Sequence, residues 1–149
     1  VPQHGLIPFS KMQVFYQALQ KLYAENAERM RKAKVEKGAM YMTINTHVFL
    51  YEPVFYWEDD RTPFHKRFLP KEYLDTLPEY PANPEGRALV RELRAKINEL
   101  FATVCGVHMQ VGKSYPYMRG RNPEAARMLR ELKQSVDPKN RMNPGALGL

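Results

Sequence analysis

A chain of 149 residues, 44% hydrophobic and 26% charged, suits one domain with a true core. Its one cysteine excludes an internal disulfide or a zinc site built on several thiolates, and no apolar run nears the ~20 residues of a membrane-spanning helix. The net charge of +7 brings nucleic acid to mind, but Lys and Arg alternate with Glu along helical patterns, as on a solvated face, and no zinc finger, helix-turn-helix or phosphate-binding glycine loop is present.

In chain order, Gly5 to Phe9 is short and apolar and predicts an edge strand closed by Pro8. Ser10 and Gln13 have capping-box spacing for a helix in which Phe15, Leu19, Leu22 and Tyr23 form one stripe. Glu25 to Lys37 is highly charged, and Gly38 is expected to stop the helix. Ala39 to Asn45 alternates, with Met40, Met42 and Ile44 on one side and Tyr41, Thr43 and Asn45 on the other. Val48 to Trp57 is aromatic and β-branched, a second strand whose Pro53 implies a bulge or an edge. Arg61 to Ala82 carries Pro63, Pro70, Pro78 and Pro81 and reads as an irregular excursion with one helical turn near Lys71 to Leu74, long enough for a lid or an interface.

Asn83-Pro84-Glu85 has the chemistry of a helix start, and Leu89, Leu93, Ile97, Leu100, Phe101 and Val104 give that helix its stripe. Gly106 ends it. Val107 to Val111 reads as a strand with Val107, Met109 and Val111 on one face and His108 and Gln110 on the other. A loop from Lys113 to Arg121 follows, then a helix opened by Asn122-Pro123-Glu124, with Met128, Leu129, Leu132 and Val136 in its stripe, and an extended tail from Asn140 to Leu149. The order strand, helix, strand, strand, helix, strand is that of the split β-α-β arrangement. The expected fold is α+β, a ferredoxin-like antiparallel sheet with helices on one face, plus a C-terminal helix and extended tail. The other face would then show Tyr41, Thr43, Asn45, His108 and Gln110 as a polar working surface.

His108 is the best candidate general base, because imidazole titrates near neutral pH; a hydrogen-bonded structural histidine fits the same pattern. Lys113, Tyr115, Tyr117, Arg119 and Arg121 could hold an anion or stack on a flat ring, or could form a solvated loop. His47 and Glu52 lack the further ligands of a metal centre, so no metal is expected. His4, His65 and Cys105 carry little signal, and Arg61, His65, Lys66 and Arg67 read as a solvated basic patch.

The ending VDPKNRMNPGALGL resembles the C-terminus of flavin-linked oxidases of the vanillyl-alcohol oxidase and D-lactate dehydrogenase superfamily, in which the last helix runs into a DP-x-x-x-x-(N/A)PG tail. The GVHMQVGK strand and the Tyr-rich loop are similar to that family's segment over the flavin ring, and the element order resembles its cap domain. The resemblance implies FAD as cofactor, bound mainly by a domain outside this chain, and a role for residues 1–149 as the substrate (cap) domain of an oxidoreductase that passes a hydride from a hydroxy acid or an aromatic (phenolic or benzylic) alcohol to flavin N5. Turnover would belong to a parent enzyme or a complex with a separate FAD subunit, not to this piece alone. The absence of an initiator methionine at Val1 agrees with a processed or partial chain. By the same resemblance His108, Tyr115, Tyr117 and Arg119 are catalytic candidates. Tyr41, Thr43, Asn45, Gln110 and Lys113 are substrate-binding candidates, and Asn143 and Gly145 are cofactor-binding candidates. The H-x-x-G-D-G-N-x-H and G-E-H-G motifs of the metal-assisted branch are missing, which speaks against a metal-assisted step, and Tyr41, Tyr51, Tyr115, Tyr117 and Arg119 suit at least as well the metal-free branch that holds a phenolate with Tyr and Arg. Expected partners are the small-molecule substrate and an FAD-binding domain or subunit, with no nucleic acid and no membrane span; homo-oligomerisation stays open, and a cytoplasmic location is expected. The alternative is a ferredoxin-like ligand- or RNA-binding module, which lacks the basic-aromatic signature of RNA-recognition sheets.

Overall fold

Residues 1–110 and 112–149 are described by the computed structural model; Val111, the last residue of the expected fourth strand, lies outside them. The first strand forms as β1 (Gly5–Pro8) and runs straight into α1 (Phe9–Lys32). The residue before the first turn is Pro8, not Ser10, and no side chain caps the helix. Pro8 already holds φ near −56°, so strand passes into helix without a cap residue between them. Phe15, Leu19, Leu22 and Tyr23 form the buried stripe as their spacing requires.

Helix α1 ends at Lys32, well before Gly38. Lys34 takes a left-handed φ of 52°, and the chain reverses into β2 (Val35–Ile44). Gly38 therefore lies inside a strand. The charged residues around it were a poor guide because β2 pairs along its whole length with β3 (Val48–Trp57), from Val35↔Trp57 to Ile44↔Val48. That ladder, with Val35 buried at its end, outweighs local propensity.

The antiparallel sheet has the order β1-β3-β2. Val107 joins beside β1 through one bridge, in which Leu6 N–H donates to Val107 O at 2.7 Å and Val107 N–H to Leu6 O at 3.0 Å. The fold is thus α+β, and the arrangement Val107-β1-β3-β2 is that of the split β-α-β pattern. The expected fourth strand is cut to that bridge because the backbone N–H groups of Met109 and Gln110 turn to a side chain, as described below. Pro53 sits in the central strand without a bulge. Its carbonyl accepts from Gln3 N–H, so the missing N–H falls just before β1, where pairing is reduced to the isolated Pro2–Val54 bridge and the loss is confined to one bond.

Directly paired residues share a face of a sheet. Tyr41 pairs with Tyr51 and Thr43 with Phe49, and Tyr51 and Phe49 pack on the core formed with α1. Tyr41 and Thr43 therefore lie on the helix side, and Met40 and Met42 on the open side, the reverse of the expected assignment. Strand β2 is an edge that α1 covers only near Val35, so Tyr41 stays exposed although its ring stacks on Phe49 and Tyr51. Asn45 is in the β2–β3 turn with φ of 55°.

The excursion holds two short helices, α2 (Pro63–Phe68) and α3 (Lys71–Asp75). Arg61 ties it down by donating to Leu74 O and Leu77 O, both at 2.7 Å. Helix α4 (Pro84–Thr103) starts at the Asn83 cap as expected. It packs Leu89, Leu93, Ile97 and Phe101 against α1 and the sheet, each such side chain contributing about 1.5–3 kcal/mol by burial. Helix α5 (Pro123–Val136) also starts at its Asn cap, but Met128, Leu132 and Val136 are exposed, and Ala126 is its buried residue. The tail is not extended. Asn140, Asn143, Gly145 and Leu147 all have positive φ, and Ala146–Gly148 is a 3-10 turn. The Asp137 carboxylate anchors this fold-back by accepting from Arg141 N–H and Met142 N–H, both at 2.9 Å, and from Lys133.

Candidate active site

Beyond the Val107 bridge the chain leaves the sheet and wraps round a buried histidine. His4 is 3% exposed. Its Nε2 accepts two backbone hydrogen bonds, from Met109 N–H and Gln110 N–H, each at 3.1 Å. Its Nδ1 lies 3.0 Å from the hydroxyl of Tyr115, which also accepts from the His4 backbone N–H at 3.3 Å. His108 Nδ1 donates to His4 O at 2.7 Å. In a neutral ring that bond leaves Nε2 as the free acceptor. The His108 and Tyr115 rings lie 4.4 Å apart, and Phe101 closes the His108 ring from the core at 5.5 Å.

The loop after this knot is held from two sides. Asn98 on α4 donates to Ser114 O at 2.9 Å, and Leu147 N–H in the tail donates to Gly112 O at 3.0 Å. Between the loop and the start of α5 opens a cleft of about 390 Å³, lined by His108, Gln110, Tyr115, Tyr117, Arg119 and Arg121 among others. The Arg121 guanidinium stacks on the Tyr117 ring at 3.8 Å and donates to Tyr117 O at 3.1 Å. Arg119 pairs with Glu99 at 2.5 Å; both are solvated, so the pair is worth under about 1 kcal/mol and can open to an anion.

The structure thus brings together His108, Gln110, Tyr115, Tyr117 and Arg119. Lys113 is exposed on the far side of the loop, where its Cε is within 4.0 Å of the position a Cβ on Gly145 would take; Asn143 and Gly145 lie in the turn behind it. Tyr41, Thr43 and Asn45 are not in this cleft. They sit on the opposite sheet edge, with β3 and β1 between, a span of roughly 10–15 Å at ~4.8 Å per strand. His4 is the residue that sequence reasoning missed. Its partners are more than 100 positions away, and no local pattern marks it. Burial is the main cause that lowers its pKa below the ordinary 6.5, with His108 adding to the effect and Glu52 opposing it.

Residues 85–147 match the family described as FAD linked oxidases, C-terminal domain. This part of the chain, less than half of its length, is similar to that family's domain. The matched stretch holds α4, the bridge, the whole cleft loop, α5 and most of the tail, and the cleft-lining residues lie within it. No curated protein and no solved structure matches the chain. The family is one of FAD-dependent oxidoreductases, and FAD is its cofactor, bound mostly by a partner FAD-binding domain. The cleft chemistry fits that division. Tyr115 and Tyr117 offer flat rings and hydroxyls, and Gln110 and the arginines offer donors, a set suited to ring edges and oxygen anions. A glycine-rich diphosphate cradle is not found among the described residues. No helix among the described residues is long and apolar enough to cross a membrane.

Proposed function

We propose that this chain is the substrate (cap) domain of an FAD-dependent oxidoreductase acting on a hydroxy acid or an aromatic alcohol, with the FAD-binding domain outside residues 1–149. The observation that carries this reading is the convergence of His108, Tyr115, Tyr117 and Arg119 on one cleft within the family-matched stretch. When bound, FAD supplies the acceptor for the hydride. His108, oriented through Nδ1 by His4 O, accepts the hydroxyl proton of the substrate at Nε2. Tyr115 donates a hydrogen bond to a substrate oxygen. Arg119, released from Glu99, meets a carboxylate or phenolate, and Tyr117 with its stacked Arg121 forms an aromatic wall. Asn143 and Gly145, in the turn behind the loop, are the chain's own candidates for contact with FAD. No metal is assigned a step.

The test is His108→Ala in the FAD-loaded enzyme. A general base of this kind is worth about 10²–10⁴-fold, so turnover should fall by at least two orders of magnitude while flavin content stays the same. Unchanged turnover with unchanged substrate affinity would remove His108 from the mechanism.

A further inference from the structure

We propose that His4 is a positioning residue whose ring fixes Tyr115 as a one-way hydrogen-bond donor into the cleft, so that the site admits ligands through an acceptor oxygen: a carboxylate, a phenolate or an alkoxide. The inference deepens the active-site reading above and rests on it.

The argument follows from counting hydrogens. Two backbone N–H groups, of Met109 and Gln110, point at His4 Nε2. A nitrogen that accepts both cannot carry a hydrogen, so the proton of the neutral ring is on Nδ1. Nδ1–H then donates to the Tyr115 hydroxyl oxygen at 3.0 Å. The His4 backbone N–H donates to the same oxygen at 3.3 Å. A hydroxyl oxygen has two lone pairs, and both are taken. What Tyr115 has left is its own O–H, and Tyr115 lines the cleft. A ligand that presents a donor there meets a saturated oxygen and leaves the O–H unmet; a ligand that presents an acceptor satisfies it.

The charged and titratable neighbours agree with a neutral His4. Burial and His108 both disfavour its protonation, and Glu52 is the opposing group. A protonated ring would set an N–H against two others at Nε2 and would free the backbone at residues 109 and 110.

Two substitutions separate the two jobs of the ring. His4→Asn puts an amide N–H near the place of Nδ1 and keeps the donor to Tyr115, while losing the acceptor for the loop. His4→Gln puts an amide oxygen near the place of Nε2 and keeps the loop, while losing the donor. The readouts are the ¹³Cζ signal of Tyr115 in tyrosine-labelled protein, assigned with Tyr115→Phe, and the affinity of benzoate for the FAD-loaded enzyme. His4→Gln should move the Tyr115 signal and weaken benzoate roughly tenfold, the worth of one well-placed hydrogen bond. His4→Asn should leave the signal in place and keep benzoate within about threefold. An unmoved Tyr115 signal in His4→Gln, or equal loss of benzoate in both variants, overturns the proposal. Wild-type benzoate affinity in Tyr115→Phe, with the signal still moving in His4→Gln, overturns the active-site reading and the ligand class but not the hold of His4 on Tyr115.

Discussion

Gly5 is where sheet, core and cleft meet, and Gly5→Ala should be felt in all three. A Cβ on Gly5 would lie 2.3, 2.4 and 2.8 Å from three ring atoms of Phe101, the nearest two more than about 1 Å short of the ~3.5–4.0 Å at which carbon atoms rest. Phe101 has no room to yield. It is fully buried, its ring stacks on Phe15 at 4.6 Å, and its carbonyl accepts from Gly106 N–H at 2.8 Å. Overpacking a tight core costs about 1–3 kcal/mol, and a neighbour pinned on three sides puts this case at about 2–3 kcal/mol. Urea unfolding followed by far-UV circular dichroism would show the midpoint falling by about 1–2 M for a typical slope. A smaller ring-site residue should relieve the clash, so Gly5→Ala should cost at least about 1 kcal/mol less in a Phe101→Leu background than in the wild type. A midpoint within ~0.2 M of wild type, or no coupling between the two sites, would refute the packing argument.

Other outcomes follow from the same geometry. Asn83→Ala removes the cap on Gly86 N–H and two donors to Ala33 O and Glu58 O, and should cost about 2–3 kcal/mol by urea unfolding. Lys133, first, and the Arg141 and Met142 N–H groups hold the Asp137 carboxyl at about 2, below its ordinary 3.8. The anchoring is therefore complete above pH ~4 and lost as pH falls towards 2; protection factors of the tail amides at pH 5 and pH 2.5 would show it, and Asp137→Ala should lack the transition. Leu132→Ser on the exposed face of α5 should change stability by less than about 0.5 kcal/mol, and a loss above ~1.5 kcal/mol would mean that the face is covered.

Patterns that depend on neighbours in sequence were legible. The Asn-Pro helix starts, the α1 and α4 stripes and β3 stand where spacing puts them, because capping and periodicity are local. The cleft residues from His108 to Arg119 were legible for a related reason: one loop carries them all. Failures came where a distant partner decides. Alternation in β2 shows two faces but not which one meets the helices, and an edge strand that α1 covers only near Val35 exposes Tyr41 and Met40 alike. Gly38 looked like a stop because the pull of β3 is invisible from the charged residues beside it. His4 was overlooked because everything that makes it important arrives from residues 107–115. The loss of the fourth strand has the same origin, since the Met109 N–H that would have extended it serves the His4 ring.

The knot between His4 and Tyr115 joins residues 111 positions apart, which sets a schedule on the ribosome. Residue 4 is made well before its partners, which come only after three strands and four helices have been synthesised. At about 5–20 residues per second the wait is on the order of ten seconds. During it α1, β2 and β3 can pair, but β1 has no neighbour on its outer edge, and the imidazole that will be buried is in water and free to take a proton. The cleft is thus a late product of synthesis, completed after the scaffold that carries it, and a chain stalled between Val104 and Tyr115 would have most of a core and no site.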